Sequence, residues 1–408
     1  MDRRTFLQRS GIAAMGVAGV DASALPPEPA EPHVRGYRTL GRTGLRVSDI
    51  SLGSGGGFEN AGVVRHAYER GITYFDTAES YRGGSSETMI GEALRDVRDK
   101  LTITSKVVTR AKWKRGRMMK ALEGSLRRLR TDYVDIYMSH AVNNVARLQS
   151  DEWREFTALA KRQGKIRFTG MSGHGGHLIE CLDYAIDHDL VDVVLTAYNF
   201  GSDPAFYERF TKSFDFVANQ DGLPRVLAKA HAKGVGVTVM KTLMGARLND
   251  MAPYEWGSAT FPRAAMRWVL SNQNVAAAVL SMKTKARIDE MLRASGDSEV
   301  RPADARLLRG YVAANSTTYC RNACSDCTGS CPLGVPIADV LRTRMYEVDY
   351  GDSQLARSGY AALDTNASPC LSCANPTCID ACPYGLEIPT LTRQTAQLQR
   401  SAGRSQRG

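Results

Sequence analysis

Two sets of side chains carry the chemistry this sequence could perform. The first is cysteine. Of nine cysteines in 408 residues, Cys181 stands alone and eight fall between positions 320 and 382. They form two quartets, Cys320-x3-Cys324-x2-Cys327-x3-Cys331-Pro332 and Cys370-x2-Cys373-x4-Cys378-x3-Cys382-Pro383. Thiolates at such gaps can hold iron–sulfur clusters or zinc, or join as disulfides. After each quartet the chain repeats itself, Cys-Pro-Leu-Gly-Val-Pro-Ile from 331 and Cys-Pro-Tyr-Gly-Leu-Glu-Ile from 382, at an offset of 51 residues. The second set is Asp76, Tyr81, Lys106 and His140. A carboxylate, a phenol, an ammonium and an imidazole together can deliver a proton and stabilise charge developing on an oxygen.

The second set needs a scaffold that brings distant positions together. From Tyr37 the sequence reads as a small hairpin to Ser48, with turn residues at Gly41 and Gly44. Strand-like runs then alternate with amphipathic helical ones. The expected strands lie near Ile50–Gly53, Thr73–Asp76, Leu101–Lys106, Tyr133–His140, Ile166–Ser172, Val191–Tyr198, Val235–Lys241 and Val275–Ser281. Gly71, Gly164 and Gly234 stand where helices should stop. Eight β-α units predict an α/β fold, a (β/α)8 TIM barrel, rather than an open doubly wound sheet, because Gly53-Ser54-Gly55-Gly56-Gly57 does not make the dinucleotide fingerprint. In such a barrel the working residues sit where strands end. Asp76, Lys106 and His140 close the second, third and fourth strands, and Tyr81 follows the second.

Phe75-Asp76-Thr77-Ala78-Glu79-Ser80-Tyr81, Ser105-Lys106, Asp135-Ile136-Tyr137-Met138-Ser139-His140 and the run Gly164–Ser172 resemble the aldo/keto reductases over about Tyr37–Ala294. The resemblance implies an oxidoreductase that reduces a small aldehyde or ketone with NADPH, NADH being the alternative. It implies Asp76, Tyr81, Lys106 and His140 as a catalytic tetrad, in which Lys106 lowers the pKa of Tyr81, Asp76 orients Lys106 and His140 positions the substrate oxygen. It further implies Ser54, Asp76, Ser172, Arg287 and Glu290 as cofactor contacts. Gly173, Leu195 and Met240 depart from the family's usual nicotinamide contacts. These departures keep open a second reading, an iron–sulfur electron-transfer protein in which the barrel is a scaffold. His174 and His177 read as loop residues. The run Lys106–Arg130, with ten basic groups and one acid, reads as a solvated helix face.

The cysteine quartets resemble the bacterial ferredoxin run, which implies a small, mainly helical domain with two [4Fe–4S] clusters. In that family the fourth cysteine crosses over. One cluster would take Cys320, Cys324, Cys327 and Cys382, and the other Cys370, Cys373, Cys378 and Cys331. The resemblance leaves a single cluster, zinc and disulfides open.

Composition bounds the rest. The chain is 43% hydrophobic and 24% charged, values of a folded protein. No apolar run reaches the roughly 20 residues needed to span a bilayer. The net charge of +10 resides almost wholly in residues 37–308, which suits an anionic ligand; no nucleic-acid partner is expected. Arg3-Arg4 before Phe6-Leu7, a mild apolar run and Ala22-Ser23-Ala24 resemble a twin-arginine signal. This predicts engagement of the twin-arginine export machinery and a periplasmic location, with a cytoplasmic one as the alternative. The expected domains are 1–36 signal and linker, 37–308 barrel and 309–408 iron–sulfur. Nicotinamide passes two electrons together and clusters pass one at a time, and no flavin site is legible between them; a redox partner protein is therefore expected.

Overall fold

The computed structural model describes residues 31–110, 113–200, 222–244, 251, 254–255, 258–315, 320, 324, 326–348 and 352–404. The expected export signal lies outside the described residues. No helix among those described is long and apolar enough to cross a membrane.

Eight parallel strands close into a barrel. In chain order they are β3 (Ile50–Gly53), β4 (Tyr74–Asp76), β5 (Thr102–Val107), β6 (Val134–Ser139), β7 (Ile166–Gly173), β8 (Val193–Ala197), β9 (Gly236–Met240) and β10 (Ala277–Ser281), and β10 pairs with β3 to complete the ring. Each lies within two residues of its expected position at either end. Nearly every strand residue is buried, as a parallel sheet covered on both faces requires. Before the barrel, β1 (Tyr37–Thr39) and β2 (Arg46–Ser48) form the antiparallel hairpin. The hairpin stoppers the N-terminal end of the barrel: Leu40 and Val47 are fully buried in one cluster with Tyr74, Ile136 and Val193 from the interior.

Eight helices wrap the strands: α1 (Ala61–Glu69), α2 (Ser85–Leu94), α3 (Arg115–Leu129), α4 (Asp151–Arg162), α5 (Leu178–Asp187), α6 (Gly222–Ala232), α7 (Phe261–Ser271) and α8 (Lys285–Leu292). Gly71, Gly164 and Gly234 end helices at positive φ, the conformation a glycine adopts without steric cost. The basic run on α3 is tied to its neighbours rather than merely solvated. Lys114 pairs with Glu152, Arg128 with Glu87, Arg130 with Glu92, and Glu123 with Lys165.

The boundary expected at 308 falls inside a helix, α9 (Pro302–Asn315). Leu307, Leu308 and Tyr311 of α9 belong to the main barrel core, and the Tyr311 ring stacks on Phe261 at 4.1 Å. The barrel therefore extends past 308, because this helix buries its apolar face on α7.

Beyond it lies a small helical module: α10 (Ile337–Val348), α11 (Ser353–Ala361) and α12 (Ile388–Arg404). Its internal repeat is structural. Gly334 N–H donates to the Cys331 carbonyl and Gly385 N–H to that of Cys382, both at 3.1 Å. Both glycines are left-handed, at φ +67° and +72°. Each Cys-Pro-x-Gly thus makes the same turn, then buries an aliphatic pair, Val335 and Ile337 or Leu386 and Ile388, before a helix starts.

Candidate active site

A cavity of about 490 Å3 opens where the barrel strands end. Asp76, Tyr81, Lys106 and His140 all line it. The register explains how. Asp76 pairs with Thr104 and Lys106 with Met138. Thr104 and Lys106 share a face at the two-residue period of a strand, so Lys106 comes up beside Asp76. Its ammonium donates to Asp76 Oδ1 at 2.5 Å and to the Thr77 carbonyl at 2.8 Å, fully buried. Burial pushes both members of this pair toward their neutral forms, and their contact opposes it. Ser105 is fixed from the other face of β5 by a 2.6 Å bond to buried Glu87.

The Tyr81 hydroxyl lies 3.4 Å from His140 Nε2, with the rings edge to face. Lys106 sits 5.1 Å over the Tyr81 ring. The expected lowering of the Tyr81 pKa is not what the structure gives. Burial, then the Asp76 and Tyr346 charges, hold the phenol well above its ordinary value. The Lys106 charge is engaged by Asp76 beneath the ring, so Tyr81 remains a protonated donor at neutral pH. Burial and the nearby cations Lys106, Arg147 and Lys241 push His140 well below its ordinary value, so the imidazole is neutral. Arg147 holds the loop that presents His140, donating to the carbonyls of His140 and Ala141 at 2.8 Å each.

The expected cofactor contacts divide. Ser172 lines the cavity; its oxygen accepts the Ala141 N–H at 3.0 Å, leaving its own proton to donate. Arg287 lines the cavity beside Lys283, while Glu290 is off the wall and pairs with Arg287. Ser54 is fully buried behind the wall, which Gly53, Gly55 and Gly56 form instead, and its hydroxyl has no partner. Leu195 and Met240 do line the cavity. Gly173 does not: a Cβ there would come within 2.8 Å of Leu178, so no larger residue fits without displacement. Asp76 Oδ2 and Thr242 Oγ1 are buried, unpartnered and on cavity residues, an acceptor and a hydroxyl available to a polar ligand.

Four residues of the wall were missed from the sequence. Lys241 follows β9 and His174 follows β7. Both obey the strand-end rule that found Asp76 and Lys106; His174 is the loop residue it was expected to be, and that loop lies on the cavity wall. Burial, then Arg342, pushes the Lys241 pKa down to about 7. His177 is exposed beside Glu180. Tyr346 and Asp352 come from the C-terminal module, and no local signal marks them.

That module carries all eight clustered cysteines, and among the described residues no disulfide joins them. A second cavity, of about 30 Å3, is lined by Cys331, Cys370, Cys373 and Cys378 together with Pro332, Leu333 and Pro376. Cys327 lies beside Cys382: burial first, and the Cys382 charge next, raise its pKa. Cys331, the last cysteine of the first run, thus shares a cavity wall with Cys370, Cys373 and Cys378 of the second. Arg393 fixes the second group, donating to the carbonyls of Cys370 and Cys373 at 3.1 and 3.0 Å. Among the described residues, no three His, Cys, Asp or Glu side chains converge to hold a metal ion.

Residues 59–306 match the model of the aldo/keto reductase family. An L-galactose dehydrogenase of Arabidopsis thaliana is 26% identical over 64% of this chain and 88% of its own length. A methylglyoxal reductase of Escherichia coli is 31% identical over 53% of this chain and 72% of its own. Among solved structures, an aldo-keto reductase from Bacillus halodurans in its holo form superposes with a TM-score of 0.53 at 20% identity, covering 68% of this chain and 96% of that one. That likeness concerns the fold alone, and it agrees with the eight-stranded parallel barrel. A match spanning more than half the chain, over the segment that carries the strand-end cluster, makes this protein a member of the aldo/keto reductase family.

Proposed function

We propose that the chain reduces an aldehyde or ketone using NADPH, and that its C-terminal module carries two [4Fe–4S] clusters. The observation that carries the first part is the Tyr81 hydroxyl and His140 Nε2, 3.4 Å apart on one cavity wall. A carbonyl oxygen seated between them can take hydrogen bonds from both. NADPH, when bound, supplies the hydride. As charge builds on the oxygen, Tyr81 gives up its proton, and the ammonium of Lys106 beneath the ring stabilises the phenolate left behind. Asp76 holds Lys106 in place. The residues present fit the nicotinamide group: Ser172 offers a donor, Asp76 Oδ2 an acceptor, and Lys283 and Arg287 a cationic end for phosphates. Leu195 and Met240 would meet the ring by apolar contact.

Iron–sulfur is supported by a cavity walled by one crossed group of thiols. Four thiols lining a space suit a cubane, whose cysteines bind four different irons, better than zinc, which needs every ligand within ~2.3 Å of one centre. The clusters, when present, supply one-electron transfer or structural cross-linking.

The test of the reductase is Tyr81→Phe, which removes only the hydroxyl. NADPH binding should survive while NADPH oxidation with small aldehydes falls by roughly 10²–10⁴. Undiminished turnover would overturn the role of Tyr81. A parent protein that binds no nicotinamide would make the barrel a scaffold for electron transfer. Anaerobically purified protein should carry about eight irons by the ligand count; zinc in their place would remove the cluster assignment.

A further inference from the structure

The large cavity holds a second lysine that the reductase chemistry does not use. Lys241 follows β9, keeps part of its surface exposed and lines the cavity, so a ligand can reach it. Its backbone is left-handed, at φ +60°, a conformation that is costly for any residue with a side chain. The surrounding fold enforces it. The Asn199 side chain donates to the Lys241 carbonyl at 3.1 Å, and the Tyr198 N–H donates to that of Met240 at 3.0 Å. Strain kept at the strand ends of a barrel points to a task for the side chain it aims.

The Lys241 nitrogen lies 3.4 Å from the Tyr346 hydroxyl and 4.7 Å over that ring. The same hydroxyl is 3.4 Å from His174 Nε2. Burial strips water from the Lys241 nitrogen, and Arg342, on the same helix as Tyr346, adds a positive charge nearby. Desolvation and a neighbouring cation are the conditions that turn a lysine from an ammonium into an amine nucleophile, and here they bring the pKa down to about 7. The imidazoles near enough to feel the Lys241 charge, His140 and His174, are held neutral first by burial. Lys106 on the same cavity is the contrast. Its ammonium donates to Asp76 and to the Thr77 carbonyl, which favour the charged form.

We infer that Lys241 is a covalent carbonyl-binding residue, an amine that condenses with small aldehydes in the cavity to form an iminium. The nitrogen pair adds to the carbonyl carbon, and the π pair of the C=O bond moves to oxygen. One proton passes from nitrogen to that oxygen, and Tyr346 lends a second. The C–O bond then breaks, water leaves, and the nitrogen pair closes the C=N bond. Tyr346 regains its proton from solvent. One amine, one aldehyde and one proton thus give one iminium and one water, with no oxidation or reduction. Neither nicotinamide nor a cluster takes part.

The experiment exposes anaerobically purified full-length protein, without NADPH, to propanal and cyanoborohydride at pH 7. Cyanoborohydride gives hydride to the iminium and fixes it as a secondary amine, which peptide mass mapping locates. At that pH a lysine of ordinary pKa is an amine in only roughly one molecule in 10³. Lys241 should therefore be propylated at least tenfold faster than exposed lysines such as Lys100 and Lys120, and Lys106 should stay unmodified. Lys241→Arg keeps the positive charge and removes the amine; the fast phase should vanish while the exposed lysines react as before. Tyr346→Phe should slow propylation of Lys241 severalfold. Propylation of Lys241 no faster than that of the exposed lysines, an adduct on Lys106 at an equal rate, or a fast phase that survives in Lys241→Arg overturns the proposal. An unchanged rate in Tyr346→Phe overturns the proton transfer assigned to that phenol. NADPH is absent throughout, so a failure of the reductase reading would leave the result standing.

Discussion

The barrel and the C-terminal module are held together in different ways. The barrel has a large apolar core that runs from Val34 to Tyr311 and takes in Met345, Tyr346 and Ala356 of the module, with a second cluster in its interior, and its fully buried rings, such as Phe75, Phe156 and Phe261, are large. The module has two small clusters. One gathers Val335, Val340, Tyr360, Ala367 and Ala396; the other gathers Ile337, Leu341, Leu386 and Ile388. Cysteines pack against both, Cys331 and Cys370 on the first, and Cys320, Cys327, Cys331, Cys378 and Cys382 on the second. Cores this small seldom stabilise a fold without a staple such as a metal or a disulfide. The difference teaches where each half is vulnerable: the barrel to lost volume, and the module, if it carries the proposed clusters, to lost ligands.

The largest contrast should come from Cys382→Ala set against Phe156→Ala. Cys382→Ala should lower the iron count from about eight to about four, by the crossed grouping, and destabilise the module while leaving the barrel's thermal transition in place. Removal of the Cys370-containing group's iron instead would show that the runs do not cross. Phe156 packs on Tyr137 and Trp153, and its truncation should cost about 3–5 kcal/mol in the barrel transition without loss of iron. A single transition shifted equally by both changes would dissolve the comparison.

A smaller effect is expected from Gly385→Ala. A Cβ there meets nothing within 4 Å, so the penalty is that of the left-handed backbone, about 1–2 kcal/mol, confined to the module. Guanidinium titration followed by cluster absorbance would read it; no change would mean that the turn relaxes without cost.

A separate test is pH dependence. All seven histidines precede residue 309. Burial pushes His140 and His174 well below their ordinary value. The unfolded chain therefore binds more protons than the folded one below about pH 6.5, and stability falls as pH drops from there toward the depressed folded values. The slope is at most about 1.4 kcal/mol per pH unit for each imidazole. The urea midpoint of the barrel should decline between pH 7 and 5, and less so in a His140→Gln, His174→Gln variant. The same decline in that variant would assign it to other groups.

Much of this was legible in advance, for stated reasons. Alternating apolar runs located the strands because parallel strands buried on both faces leave little choice of residue. Asp76, Tyr81, Lys106 and His140 were found because strand ends and the residue types coincide. Lys241 and His174 obey the same rule and were passed over, one as part of a family departure and the other as a loop histidine. Tyr346 and Asp352 had no such signal. Their place depends on how α10 and α11 rest on the barrel, through contacts such as Asn143 with Asp339, which no local pattern encodes. The boundary expected at 308 falls inside α9, because the cysteine pattern announces where the module's cysteines begin, not where the helix packed on α7 ends.

Helix α10 begins six residues after Cys331 and ends two residues after Tyr346. One short rod therefore joins a ligand loop to the wall of the reaction chamber. A ribosome releases the barrel's strands first and this rod among the last segments, so the chamber is finished only when the tail has folded. A chain that lacks the tail would keep the barrel strands but not the part of the wall that Tyr346 and Asp352 supply.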